Sequence, residues 1–219
     1  MPSHSRRRAL LFDLDGTLID SIGLLLSSME HAFAGHPRAP TRAQWTAGIG
    51  TPLRTQLAEW CDDDAQVEAL VGRYREFQGV HLEGLTTLYP GVLELLHWAR
   101  DEGFATGIVT SKGRGMTDRS LQHVGIAELF ETIVTYEDSS RHKPGPEPVL
   151  LALARLGVEP RDSVFVGDSP HDMHSGRAAG VQTAAALWGP FTREELASAA
   201  PDWWLTRIGE LQDIVTAMR

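Results

Sequence analysis

Residues 9–17 read Ala-Leu-Leu-Phe-Asp-Leu-Asp-Gly-Thr, an apolar run ending in two carboxylates one residue apart, Asp13 and Asp15. Further polar groups stand at three later places: Thr110-Ser111-Lys112, Lys143 in a proline-rich stretch, and Asp168-Ser169 with Asp172. Clustered carboxylates repel one another and call for a cation. Oxygen-only ligands select a hard ion such as Mg²⁺, which binds through a few carboxylates together with water and substrate phosphate. A carboxylate can attack phosphorus to give an aspartyl phosphate. A lysine and a hydroxyl can hold the remaining phosphate oxygens, and a second carboxylate can serve as general acid and then base. Joined at one point, these residue types supply what hydrolysis of a phosphate ester requires. Each alone has a plainer use. Asp13-Leu14-Asp15-Gly16 is also an ordinary turn composition, Lys143 suits an exposed loop, and Asp168 or Asp172 can cap a helix.

The elements that would gather these groups follow from periodicity. Ala9–Phe12 is short and wholly apolar, as in a strand covered on both faces. Further strands are expected at residues 105–110, 132–135, 164–166 and 182–187, with a short one near 203–205. Helical patterns lie between them, at residues 92–103, 116–124, 148–156 and 175–179, and a last one at 208–218. Alternation of this kind implies a doubly wound parallel α/β sheet, whose strands all end on one edge. The polar groups stand just beyond such strand ends.

Residues 20–84 break the alternation. Their apolar residues recur at helical spacing, with Ser21 and Thr41 as N-caps and Gly35-His36-Pro37 and Gly48–Pro52 as breaks. We expect an all-helical cap domain at 20–84, inserted into a core made of 1–19 and 85–219.

Composition bounds the function. The chain has 219 residues, 42% hydrophobic, and a formal net charge of −9. That supports a substantial core and argues against a nucleic-acid surface. Arg6-Arg7-Arg8 is expected to be a solvated, frayed start. Cys61, the single cysteine, sits beside Asp62-Asp63-Asp64, which disfavours a reactive thiolate. No apolar run reaches membrane-spanning length. A cytoplasmic protein, monomeric or homodimeric, is the expectation. Trp203-Trp204 is a candidate dimer contact, and His171 and His174 are expected to be solvated loop residues.

Asp13-Leu14-Asp15-Gly16-Thr17, the strand-terminal Thr110, Lys143-Pro144-Gly145-Pro146 and Gly167-Asp168-Ser169-Pro170-His171-Asp172 together resemble the motifs of the haloacid dehalogenase superfamily. With the helical insert, they resemble its phosphoglycolate phosphatase-like branch. The resemblance covers residues 9–215. It implies a Mg²⁺-dependent phosphatase acting on a small phosphorylated metabolite such as phosphoglycolate. Asp13 would be nucleophile and metal ligand. Asp15 would be general acid/base and metal ligand through its carbonyl, positioned by Thr17. Thr110, the Ser111 N–H and Lys143 would bind phosphate. Asp168 would ligate the metal and Asp172 would support it. Where relatives carry Thr-Asn-Lys after the second strand, this chain has Ser111, which bears on the substrate. Specificity would lie in the cap, with Arg54 either a substrate contact or a solvated residue of a helix's first turn. A β-phosphoglucomutase-like phosphomutase, a pyrophosphatase and a non-catalytic binding protein on the same fold are the alternatives.

Overall fold

The computed structural model describes residues 7–217. Six strands form one parallel sheet: β1 (Ala9–Phe12), β4 (Ala105–Val109), β5 (Thr132–Val134), β6 (Ser163–Gly167), β7 (Gln182–Ala186) and β8 (Trp203–Leu205). Their spatial order is β5-β4-β1-β6-β7-β8. β1 is central, with Phe12 opposite Ile108 on one side and Val166 on the other. The order reverses direction beside β1, so the sheet has its switch point where Asp13 emerges.

The wholly apolar strand β1 serves two faces. Leu10 and Phe12 pack with α5 (Val92–Asp101), α6 (Arg114–Val124) and α10 (Glu210–Ala217). Ala9 and Leu11 pack with α7 (Glu147–Leu156) and α8 (Pro170–Ala179). Successive strand residues point to opposite faces, so a strand clad on both sides shows no polar alternation. Gly125 and Gly157 end α6 and α7 at positive φ, as C-cap glycines do.

Four helices follow β1: α1 (Ile22–Ala32), α2 (Arg42–Ala47), α3 (Leu53–Ala58) and α4 (Asp64–His81). They share their own core of Met29, Phe33, Trp45, Leu57, Leu70 and Tyr74. Thr41 caps α2 through a reciprocal capping box with Gln44. A short helix α9 (Arg193–Ala197) follows β7. Among the described residues no helix is long and apolar enough to cross a membrane.

Several local expectations need correction. Asp20 is in a strand, not a helical region: β2 (Ile19–Asp20) pairs antiparallel with β3 (Thr87–Leu88), forming a ribbon where the chain enters and leaves the four helices. Ser21 stands at the N-cap position of α1 but makes no side-chain cap bond, its hydroxyl donating to Asp15 instead. α8 starts at Pro170 rather than Ser175, since Ser169 and Asp172 form a capping box with Pro170 at the first turn. α10 begins at Glu210, and Met218 lies outside the described residues, as does Arg6. Arg7 and Arg8 are anchored rather than frayed. Arg7 donates to the Leu156 carbonyl and pairs with Glu131, and Arg8 donates to the Val215 carbonyl with its guanidinium 4.3 Å from the Phe104 ring centroid. Trp203 donates from its ring N–H to Gln182, while Trp204 lies under the Arg193 guanidinium.

Beyond β5, Asp138 ties two helices to the sheet. It accepts from Arg114 at 2.6 Å and from Arg155 at 2.8 Å. Burial alone would raise its carboxyl, but hydrogen bonds from Arg155 and Thr135 and the Arg114 charge outweigh burial and hold it well below the usual range. A depressed carboxyl stabilises the fold above the ordinary Asp value and loses that contribution as pH falls. Asp138→Asn should cost about 1 kcal/mol at pH 7, the guanidinium partners being partly exposed. In urea titrations its gap from wild type should close as pH falls below about 4. A gap that stays constant with pH would exclude the ionised carboxylate as its source.

Candidate active site

The groups singled out in the sequence converge at the carboxyl edge of the sheet. Asp13 follows β1 directly, its N–H donating to the Val166 carbonyl, and its side chain is buried. Lys143 Nζ lies 2.9 Å from Asp13 Oδ1, 2.6 Å from Asp172 Oδ1 and 3.4 Å from the Val109 carbonyl, so its three protons all have acceptors. Asp172 Oδ2 accepts from the Ser169 N–H at 3.0 Å and its hydroxyl at 2.6 Å. The α8 capping box therefore also fixes the carboxylate that steadies Lys143.

Burial pushes the Asp13 carboxyl up to about 7, with Lys143 opposing and the Asp172 and Asp15 charges adding to the rise. Burial likewise raises Asp168 well above its ordinary value, reinforced by Asp13 and Asp172. Burial disfavours the Lys143 charge, but Asp13 and Asp172 outweigh it and hold that ammonium more firmly protonated.

The donor set fits a hard divalent ion. Carboxylate oxygens of Asp13, Asp168 and Asp172 lie within 4.8 Å of one another. Asp168 Oδ1 accepts from Thr17 at 2.6 Å, while its buried Oδ2 has no partner among the described residues. An orphaned buried carboxylate oxygen is costly unless something binds it. Gly16, at φ +84°, brings the loop against that oxygen, and a Cβ there would stand 2.5 Å from it. Only glycine meets both the backbone and the space requirement. Trp188 secures the same loop by donating to the Thr17 carbonyl.

Asp15 is held differently. Its Oδ1 accepts from Ser21 at 2.6 Å and from Lys112 Nζ at 2.7 Å, and its Oδ2 has no hydrogen bond among the described residues. Thr110 is buried, and its hydroxyl accepts from the Lys112 N–H. The Ser111 hydroxyl donates to the Gly50 carbonyl at 2.6 Å. The residue that departs from the Thr-Asn-Lys pattern thus joins the sheet edge to the turn before α3.

A cavity of about 380 Å³ opens between the sheet edge and the helices. Asp13, Asp15, Lys112 and Lys143 form its floor, and Trp45, Tyr74 and Gln78 contribute to its walls. Arg54 reaches this cavity but is paired with Glu68. Arg75, which the sequence reading passed over, lines it with no ion pair among the described residues. Its sequence surroundings carry no signal, since it is one of several charged residues on α4. The sequence places Ser21 at a helix start, and only the fold reveals its bond to Asp15. His171 and His174 are helical rather than loop residues. His174 is exposed, whereas His171 is half-buried, its charge disfavoured first by burial.

Residues 10–186 match the haloacid dehalogenase-like hydrolase family. The chain is 37% identical to a pyrophosphatase, PpaX, of Bacillus velezensis over 95% of this chain and 96% of that one. Identity is also 37% to PpaX of Bacillus pumilus, over 98% and 99%. A haloacid dehalogenase-like hydrolase structure from Bacteroides fragilis superposes with a TM-score of 0.86 at 27% identity, over 94% of this chain and 100% of that one. A hydrolase from Pseudomonas syringae shares the fold at TM-score 0.88 and 23% identity, over 97% and 99%. With sheet order, motif positions and full-length similarity in agreement, the chain belongs to the haloacid dehalogenase-like hydrolases and is an enzyme of the phosphatase type within them.

Proposed function

We propose that the chain hydrolyses a small phosphorylated metabolite through an aspartyl phosphate on Asp13, with Mg²⁺ as cofactor. The observation that carries this reading is the buried Asp13–Lys143 pair beside an Asp168 oxygen that has no partner among the described residues. Asp13, Asp168 and the Asp15 carbonyl would hold the ion, with Asp172 in support. When bound, it would offset the repulsion between the anionic nucleophile and an anionic phosphate.

The chain's own residues divide the remaining work. Lys143 keeps Asp13 in place and offers positive charge to the phosphate. Thr110 and the Ser111 N–H hold phosphate oxygens. Asp15, with Oδ2 left open, is positioned to exchange a proton with the leaving oxygen and later with water. The four helices act as a cap over the cavity and exclude water from it. Arg75, and Arg54 if released from Glu68, would meet a second anionic group.

Among substrates, the PpaX relatives and the Lys112 ammonium beside Asp15 favour pyrophosphate ahead of phosphoglycolate. A panel of phosphometabolites that includes both compounds and sugar phosphates, assayed for released phosphate with Mg²⁺ and with EDTA, tests the proposal. Release should fall by at least about 100-fold in EDTA, the metal being asked for charge stabilisation in the transition state. Undiminished release in EDTA would remove the metal from the mechanism. Sugar-phosphate interconversion without net release would assign a mutase instead.

A further inference from the structure

Resting on that reading, we propose that Lys112 is the leaving-group cation of the site and fits it to phosphoanhydrides, substrates whose departing group is itself a phosphate.

The site holds two nearly buried lysines with different obligations. Lys143 has an acceptor for each of its protons. Lys112 has 8% of its side chain exposed, lines the cavity, and uses one acceptor only, Asp15 Oδ1. An ammonium carries three donors, so two remain without a protein acceptor among the described residues. Those donors face the cavity, where an oxyanion accepts them more strongly than water does, so a ligand that brings one gains a charge-assisted contact. The ligand that would do so is an oxyanion lying against Asp15, on the side where the leaving group departs.

The chemistry of departure decides what kind of oxyanion. Asp13 bonds to the near phosphorus while the bridging P–O bond breaks, its electron pair staying on the bridging oxygen. If that oxygen belongs to an alcohol, the charge is concentrated on one atom and needs a proton, which Asp15 can give from Oδ2. If it belongs to a phosphate, the charge spreads over several oxygens, and countercharge serves better than a proton. The two open donors of Lys112 match two oxygens of a departing phosphate. A neutral alcohol offers them one weak acceptor and leaves an ammonium partly unpaired, which is discrimination against the wrong substrate. Water then attacks the aspartyl phosphate and passes a proton to Asp15. The phosphorus–Asp13 bond breaks with its pair returning to the carboxylate, so pyrophosphate and water become two phosphates.

The test compares pyrophosphate with phenyl phosphate in the Mg²⁺-loaded wild type, Lys112→Met and Lys112→Arg. Lys112→Met should slow both substrates, since Asp15 loses a partner. The ratio of kcat/KM for pyrophosphate to that for phenyl phosphate should nonetheless fall about 100-fold, the scale of one charge-assisted contact to a transition-state oxyanion. Lys112→Arg should restore at least about 10-fold of that ratio, because it keeps the charge with different geometry. An unchanged ratio in Lys112→Met would overturn the proposal and leave Lys112 as a residue that positions Asp15.

A binding arm separates this outcome from failure of the hydrolytic reading. Imidodiphosphate, a pyrophosphate analogue with a nitrogen bridge, is titrated calorimetrically into Asp13→Asn and into Asp13→Asn/Lys112→Met, with melting temperatures as a check on folding. Affinity should drop at least about 10-fold in the double variant, while affinity for methylphosphonate, which has no leaving phosphate, should change less than about 3-fold. Equal losses for both ligands would overturn the assignment. If the wild type turns over neither substrate while the two variants still show the imidodiphosphate difference, the Lys112 site is supported and only the hydrolytic reading fails.

Discussion

Asp13→Asn should lower turnover by at least about 10⁴-fold, as expected when a covalent nucleophile is removed. It should also leave the metal-free protein as stable as wild type or more so. The asparagine retains an oxygen for Lys143 and removes one charge from a crowd of buried carboxylates. The pH dependence follows from the direction of the shift. A carboxyl whose folded-state value is raised to about 7, above its ordinary value near 4, weakens the fold progressively as pH climbs between those values. The stability advantage of Asp13→Asn should therefore grow from pH 5 to pH 7 and level off above, as read by thermal melts in EDTA. Phosphate release within tenfold of wild type would exclude Asp13 as the nucleophile, whatever the melts show.

Lys143→Met should differ in stability, losing it together with activity. The Lys143 side chain is 1% exposed and its ammonium is shared by Asp13 and Asp172. Removing one partner of a buried ion pair leaves uncompensated charge, with a cost of about 3–5 kcal/mol. Burial has already raised Asp13, so part of that cost would be relieved by proton uptake. Because a divalent ion would be the remaining countercharge, Mg²⁺ should raise the urea midpoint of Lys143→Met by more than it raises that of wild type. A variant within about 1 kcal/mol of wild type in EDTA would mean that the lysine is not the electrostatic centre described above.

What could be read in advance depended on the length scale of each signal. Ala9–Phe12 was legible because a strand covered on both faces needs four apolar residues in a row, and the flanking Asp13 and Gly16 marked its end. The alternation of later strands and helices placed Thr110, Lys143 and Asp168 near one edge before any coordinates. The start of α8 was misread because Gly167-Asp168-Ser169-Pro170 looks like a turn, although Ser169 followed by Asp172, with Pro170 between, is also a helix-start signature. The ribbon of β2 and β3 was invisible, since two residues cannot display a period. The Lys112–Asp15 pair joins positions 97 apart in sequence, and nothing local to either residue announces it. Arg7 and Arg8 illustrate the same limit, for their anchors at Glu131, Leu156 and Val215 lie more than a hundred positions away.

The ribbon of Ile19–Asp20 and Thr87–Leu88 has a consequence for how such a protein can change over generations. The two points where the chain departs from the sheet layer and returns to it are hydrogen-bonded neighbours. A sequence of almost any length can therefore be exchanged between them at little cost in loop closure, which grows only slowly with length. The four helices carry an apolar core of their own, so a replacement has only to cover the patch where Ile22, Leu25 and Ile49 pack against Met173, Ala185 and Phe191. Asp13, Lys143 and Asp168 all lie outside the exchanged segment, whereas Arg54 and Arg75 lie inside it. Recombination at this seam would hand the same reaction centre a new set of walls, making it the natural place to graft a relative's helices when a different substrate is wanted.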